Sequence, residues 1–170
     1  MKKELVLGCG HSKRKSLTSD GTFEYTNPTY LDIDPQVIPH IVHDLNAFPY
    51  PGKDNEYDEI HAYEVLEHTG QQGDWGFFFE QFNELYRILK PEGLLFITVP
   101  NYTSVWSVGD PGHTRIFSSA FVTFLDQNEY TKQVGKTSMT DYRFIYKGNF
   151  EPVFMKETKD VIAVILQKVQ

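Results

Sequence analysis

A four-residue run of strand character, Glu4-Leu5-Val6-Leu7, stops at two glycines separated by one residue, Gly8-Cys9-Gly10. Missing side chains at such a turn let a ligand touch the backbone, and a strand running into Gly-x-Gly reads as the first strand of an open α/β sheet. A plain tight turn after a core strand accounts for the glycines equally well. The discriminating stretch is Tyr30-Leu31-Asp32-Ile33-Asp34-Pro35, a second short strand ending in acids. It follows the glycine turn by the ~20 residues that separate turn and ribose-binding carboxylate in a nucleoside site.

The chain beyond keeps the rhythm of such a sheet. Lys13 to Thr29 is polar and holds no apolar period of 3.6, so it reads as a loop where a first helix would normally stand. His40-Ile41-Val42-His43 is a third short strand, and Tyr57 to Tyr63 alternates as a fourth. Glu64 to His68 reads as one helical turn. From Trp75 to Lys90, Phe78, Phe82, Leu85, Tyr86 and Leu89 recur at helical spacing, and Pro91-Glu92-Gly93 ends that helix. Leu94 to Val99 is nearly continuous in apolar residues, the pattern of a central strand buried on both faces. Strands alternating with helices or loops in this way predict a parallel sheet with right-handed crossovers.

After Pro100 the rhythm changes. Asn101 to Thr114 is a long loop carrying Trp106, Asp110, Gly112 and His113, and a loop of that length reads as a functional lid. Ser118 or Ser119 can cap a helix bearing Phe121, Val122, Phe124 and Leu125. Tyr142 to Tyr146 and Asp160 to Gln167 read as two strands joined through Gly148-Asn149-Phe150-Glu151-Pro152, a closing antiparallel hairpin at the sheet edge.

With 170 residues the chain fits one domain, residues 1–170, whose site-bearing half is about 1–102 and whose loop, helix and hairpin fill about 103–170. A net charge of −7 repels nucleic acid phosphates and anionic membranes. Lys13-Arg14-Lys15 is the basic patch in view, and it reads as a solvated loop. The single cysteine, Cys9, allows no intramolecular disulfide and no multi-cysteine metal site, which suits a reducing cytoplasm, and no metal is assigned. Met1-Lys2-Lys3 leads directly into a core strand rather than a signal peptide, and no apolar run reaches the length of a membrane span. Aromatic residues make up 15% of the chain, and their clusters after residue 75 are dense enough to line a pocket or a partner surface. The stretch Trp75 to Phe79 could pair subunits or cover the sheet, so the oligomeric state stays open.

Taken together, Leu-Gly-Cys-Gly, Leu-Asp-Ile-Asp-Pro, His-Asp-Leu-Asn, Tyr-Asp-Glu-Ile, Glu-Val-Leu-Glu-His, Tyr-Arg-Ile-Leu-Lys-Pro-Glu-Gly and Thr-Val-Pro-Asn resemble, in order and spacing, the class I S-adenosylmethionine-dependent methyltransferases, in the small branch with an abbreviated first helix. The resemblance runs from about Glu4 to Tyr102. It implies a Rossmann-like seven-stranded α/β sheet, mostly parallel with an antiparallel C-terminal strand and helices on both faces. It implies S-adenosylmethionine as cofactor and in-line methyl transfer to an unidentified acceptor, for which the polar lid and acidic surface favour a small molecule or a protein side chain over duplex nucleic acid. By resemblance Gly8 and Gly10, with the backbone of Leu7 and Cys9, border the methionine part. Asp32 then holds the ribose with Ile33 beside it, Asp44 and Leu45 meet the adenine, and Tyr63 and Glu64 close the site near the sulfonium. The family's acid before the first glycine corresponds at best to Glu4, and its third glycine is Ser12 here.

Candidates for acceptor chemistry are His68 after the fourth strand and His113 in the long loop, either of which can take a proton. Tyr102, Trp106, Asp110, His113 and Arg115 are the candidate acceptor contacts, with Arg115 alternatively capping the loop before it. Pro100-Asn101-Tyr102 is similar to the Asn-Pro-Pro-Tyr motif of some methyltransferases but follows the wrong strand. A nicotinamide-dependent oxidoreductase shares the strand, turn and acid logic, though the turn lacks a third spaced glycine and a helix N-terminus to hold a pyrophosphate. A non-catalytic cofactor-binding or interaction module with the same fold is the remaining alternative.

Overall fold

The computed structural model describes residues 2–170, so Met1 lies outside the described residues. Seven strands form one sheet: β1 (Glu4–Leu7), β2 (Pro28–Asp32), β3 (Ile41–Val42), β4 (Tyr57–Tyr63), β5 (Leu89–Pro100), β6 (Phe150–Glu157) and β7 (Val161–Lys168). Their order is β3-β2-β1-β4-β5-β7-β6, with β1 to β5 parallel and β7 antiparallel to both of its neighbours. The order reverses at β1, whose two neighbours are β2 and β4. That is the switch point at which open α/β sheets hold ligands beyond the strand ends.

Strand alternation divides the side chains between two faces. Leu5 and Leu7 of β1, Ile60 and Ala62 of β4, Leu95, Ile97 and Val99 of β5, and Ile162, Val164 and Leu166 of β7 are buried in one large core. Against it packs α1 (Trp75–Ile88), whose N-cap Asp74 accepts a hydrogen bond from the Phe77 N–H at 2.9 Å. The helix buries Phe79, Phe82, Leu85 and Ile88 completely, while Phe78 and Tyr86 of the expected stripe lie at its half-buried margins.

The helices expected on both faces are unevenly divided. Over the opposite face a one-turn 3-10 helix at Pro35–Val37 contributes Val37, and the loop 13–27 covers the centre. Beneath that loop lie polar groups of the strands: Glu4, Glu59 and His61, all buried. Lys15, expected in solvent, is 7% exposed, with Nζ 3.0 Å from Glu4 and 2.9 Å from Glu59. Lys2 adds a second cation 2.7 Å from Glu59. His61 stacks on Phe96 with ring centres 4.5 Å apart, and the Tyr25 ring from the loop closes over it edge-on. Glu4 also accepts backbone N–H groups of Thr26 and Asn27 at 2.7 and 3.1 Å, so its carboxylate is committed to holding the loop.

This buried network makes the fold acid-sensitive. Burial pushes the Glu59 carboxyl up, but His61, Lys15 and Lys2 together outweigh it and hold it below the usual carboxylate range. Burial lowers the His61 imidazole below its ordinary value. Both groups therefore take up protons more readily in the unfolded chain. Their stabilisation is complete above the ordinary histidine value of ~6.5 and is lost as pH falls. In a Glu67→Gln variant, which removes a carboxyl that burial shifts in the opposite direction, chemical denaturation at pH 7.5, 6.0 and 4.5 should show midpoints falling in that order, most steeply toward the lowest value.

Four stretches differ from the sequence reading. The helix expected to reach Lys90 and stop at Pro91-Glu92-Gly93 ends at Ile88, and β5 begins at Leu89 and runs through those residues. Tyr142 to Tyr146 forms no strand: its alternating aromatics sit in a turn, where Tyr146 is buried and its hydroxyl donates to the Leu125 carbonyl at 2.9 Å. Phe150-Glu151-Pro152, expected as the hairpin connection, instead begins β6. Proline is accommodated because β6 is an edge strand with an irregular register between Pro152 and Phe154, and the true turn is 158–160. The expected Phe121–Leu125 helix is a 3-10 segment at Ser119–Leu125 whose N-cap Ser118 makes no side-chain cap bond; α3 (Gln127–Gln133) follows it. The long loop after β5 carries the short α2 (Trp106–Gly109).

Candidate active site

The glycine turn is shaped by two different needs. Gly8 and Gly10 both have positive φ, +57° and +51°, a region that suits glycine. A Cβ on Gly8 would lie 2.3 Å from Cγ2 of Val65, so the segment after β4 packs directly on that backbone. A Cβ on Gly10 would meet nothing within 4 Å, so this glycine faces open space. Its N–H donates to Asp32 Oδ2 at 2.9 Å, and the Asp34 N–H donates to Oδ1 at 3.0 Å. The Asp32 carboxylate is thereby fixed beside the turn, at the end of β2.

Two cavities meet at Gly8. One, about 340 Å³, is lined by Gly8, Asp32, Ile33, Asp44, Leu45 and Glu64 among others. The second, about 250 Å³, is lined by Leu7, Gly8, Cys9, Gly10, Ser12 and Tyr63 with the start of the loop. All ten residues assigned to the cofactor by resemblance thus border this pair of cavities. Ile33 is 62% exposed at the mouth, whereas Leu45 is buried. Asp44 accepts the N–H and side-chain amide of Asn46 at 2.8 and 2.9 Å, and Asn46 Oδ1 in turn accepts the Gly70 N–H at 2.8 Å. Cys9 packs with Val6 and Val37, and burial pushes its thiol up, so it offers the cavity backbone rather than a nucleophile. The Tyr63 hydroxyl lies 2.8 Å from His61 Nδ1 and bonds to Leu17 of the loop.

A third cavity, about 310 Å³, shares Glu64 and His68 with the first and adds Glu67, Trp106, Asp110 and His113. The structure therefore brings both histidines and two of the acceptor candidates, Trp106 and Asp110, together beside the first two cavities. His68 Nδ1 is 3.1 Å from the Gly112 carbonyl, and the two imidazoles meet edge-on with centres 4.5 Å apart. His113 Nε2 lies 3.9 Å from Glu67 Oε1 and 3.9 Å from Asp110 Oδ2. Glu67 is 1% exposed, and neither carboxylate oxygen has a hydrogen-bond partner. Burial pushes its carboxyl up to about 8. Nothing in the sequence singles out Glu67, because its isolation arises only when the loop after β5 folds over it.

Two other candidates sit elsewhere. Tyr102 is exposed and lines none of these three cavities. Arg115, expected to meet the acceptor, is 5% exposed and turned into the protein. Its guanidinium donates to the Leu66 carbonyl at 2.6 Å, Thr69 Oγ1 at 2.8 Å and Gln81 Oε1 at 2.6 Å, between the rings of Phe77 and Phe117. It is the post that holds the 66–69 turn, and with it Glu67 and His68. The aromatic clusters after residue 75 line a separate cavity of about 380 Å³ with Trp75, Phe78, Phe121 and Tyr142.

No family model matches the chain, and no curated protein matches it. Among solved structures, it is similar to an S-adenosylmethionine-dependent methyltransferase from Archaeoglobus fulgidus, with TM-score 0.61 and 18% identity over 98% of this chain and 86% of that one. It is similar also to the N-methyltransferase NodS from Bradyrhizobium japonicum, with TM-score 0.58 and 14% identity over 99% and 86% of the two chains. The same enzyme in complex with S-adenosylhomocysteine gives TM-score 0.55 at 15% identity, over 99% and 79%. These likenesses, with the strand order and the single antiparallel strand, establish that the chain has the class I S-adenosylmethionine-dependent methyltransferase fold.

Proposed function

We propose that the chain is an S-adenosylmethionine-dependent methyltransferase. The observation that carries this reading is the Asp32 carboxylate, pinned by the Gly10 N–H at the switch point of the sheet and facing a cavity that the glycine turn leaves open. The residues fit the cofactor: Asp32 accepts the ribose hydroxyls in charge-assisted hydrogen bonds, and the backbone of Leu7 to Gly10 borders the methionine part. Ile33 and Leu45 flank the adenine, the Asp44 carboxylate faces its amine, and Tyr63 and Glu64, lining one cavity each, close the site near the sulfur. When bound, the cofactor supplies a methyl carbon activated by a positive sulfur.

The protein's task is then orientation. Trp106, Asp110, His68 and His113 bound the space beside Glu64, and holding an acceptor there in line lowers the barrier by several kcal/mol without any covalent step by the protein. A general base is needed only for an acceptor that sheds a proton early, and the two imidazoles are the groups at hand. The acidic chain favours a small molecule or a protein side chain over duplex nucleic acid.

The reading is tested by calorimetric titration with S-adenosylhomocysteine and, in parallel, a nicotinamide dinucleotide. Micromolar or tighter binding of the former alone is expected. Binding of the dinucleotide alone would transfer the site to the oxidoreductases, and binding of neither would leave a non-catalytic module.

A further inference from the structure

Methyl transfer by itself gives Glu67 no task. A carboxylate buried with both oxygens unpartnered is costly to ionise unless a cation or donors meet it. The chain shows what a satisfied counterpart looks like on the other sheet face, where the Lys15 ammonium fills the space between Glu4 and Glu59. Among the described residues no lysine or arginine head hydrogen-bonds Glu67: Arg115 spends Nε and Nη2 on Leu66, Thr69 and Gln81, and its buried Nη1 has no hydrogen-bond partner. Two imidazoles and a second carboxylate converge on it instead.

We propose that Glu67, His68 and His113 bind one divalent transition-metal ion, with Asp110 at the rim. One donor atom from each of the first three lies within 4.8 Å of the others. Bonds of ~2.1 Å require them to close inward by up to about 1 Å, a side-chain adjustment. The hydrogen bonding already prepares the ligands. A carbonyl only accepts, so the Gly112 carbonyl places the His68 proton on Nδ1 and leaves the Nε2 lone pair free. The Glu67 carbonyl accepts the N–H groups of Thr114 and Arg115 at 2.9 and 3.1 Å, which locks the ligand-bearing turn to the loop that brings His113. Two nitrogen donors favour manganese, cobalt or zinc over magnesium, which prefers oxygen alone. A cavity of about 310 Å³ leaves positions of the ion open to ligands that are not protein, adjacent to Glu64. A bound ion also occupies the lone pairs that would otherwise serve as general base.

The test titrates the chain with MnCl2, followed by calorimetry and by loss of the free Mn2+ resonance signal, with CoCl2 and MgCl2 alongside. One equivalent of Mn2+ should bind, with Co2+ tighter and Mg2+ weaker. Glu67→Gln and His113→Ala should each weaken Mn2+ binding at least tenfold while S-adenosylhomocysteine affinity stays as in the unaltered chain, because neither residue lines the cofactor cavities. Asp110→Asn, at a half-buried position on the rim, should give a smaller loss. Failure of the unaltered chain to bind Mn2+ or Co2+, or binding that survives both Glu67→Gln and His113→Ala, would overturn the site. Mn2+ binding without any S-adenosylhomocysteine binding would sustain the metal site and remove the methyl-transfer reading.

Discussion

Lys15→Met should destabilise the fold by about 3–5 kcal/mol, read as a lower urea midpoint at unchanged slope. Methionine keeps the length of the stem and removes the ammonium, and with it the approach of Nζ to the faces of Tyr25 and Phe96. What is lost is the cation shared by Glu4 and Glu59, each of which is left buried in a low-dielectric face with one fewer partner. Lys2 still reaches Glu59 and the backbone of Thr26 and Asn27 still meets Glu4, which keeps the loss within that range. Adding Glu59→Gln to Lys15→Met should recover part of the deficit, since it removes one of the stranded charges. If the double variant is as unstable as the sum of the singles, the coupling inferred from the geometry is absent. The same substitution bears on the candidate site, because Ser12, Lys13, Arg14 and Ser16 line the smaller of the two cavities at Gly8 and Leu17 is bonded to Tyr63. Anchoring of the loop and shape of the pocket are one problem in this chain.

The parts of the fold legible in the sequence are those specified by local pattern. Tyr57–Tyr63 coincides with its alternating run, and the Leu94 to Val99 run is buried on both faces as its composition demands. Glycines, Asp32 and Asp44 are legible for a related reason: a switch-point site is built from strand ends, and strand ends are where apolar runs stop. The loop 13–27 is different. Its polar composition correctly denies a helix, but Lys15 finds Glu59 across 44 residues of chain, and no local pattern announces a buried ion pair of that span. Proline and glycine near residue 150 carry the wrong message for an equally physical reason, since an edge strand tolerates breakers that a central strand would not. Arg115 shows the limit most plainly. Its place in the loop suggests an acceptor contact, and only tertiary structure reveals that the carbonyl of Leu66 and the oxygens of Thr69 and Gln81 capture it first.

Asp32→Ala should weaken S-adenosylhomocysteine binding by about 1.5–3 kcal/mol, a loss of about 10- to 150-fold in affinity. Two contributions make up the loss, and they separate experimentally. The carboxylate no longer accepts the ribose hydroxyls, and it no longer holds the N–H groups of Gly10 and Asp34, which frees the turn that borders the methionine part. Asp32→Asn retains one oxygen, which can accept the Gly10 N–H or the Asp34 N–H but not both, and loses the charge, so it should preserve part of the turn and forfeit the charge-assisted component. An intermediate affinity for Asp32→Asn would assign the difference between the two variants chiefly to the turn. Equal losses would place nearly all of the effect in the charged contact with ribose. Unchanged affinity in Asp32→Ala, with the thermal midpoint preserved, would take Asp32 out of the site. The methyl-transfer reading would go with it, because no other carboxylate stands at the end of β2 with its orientation fixed by the glycine turn.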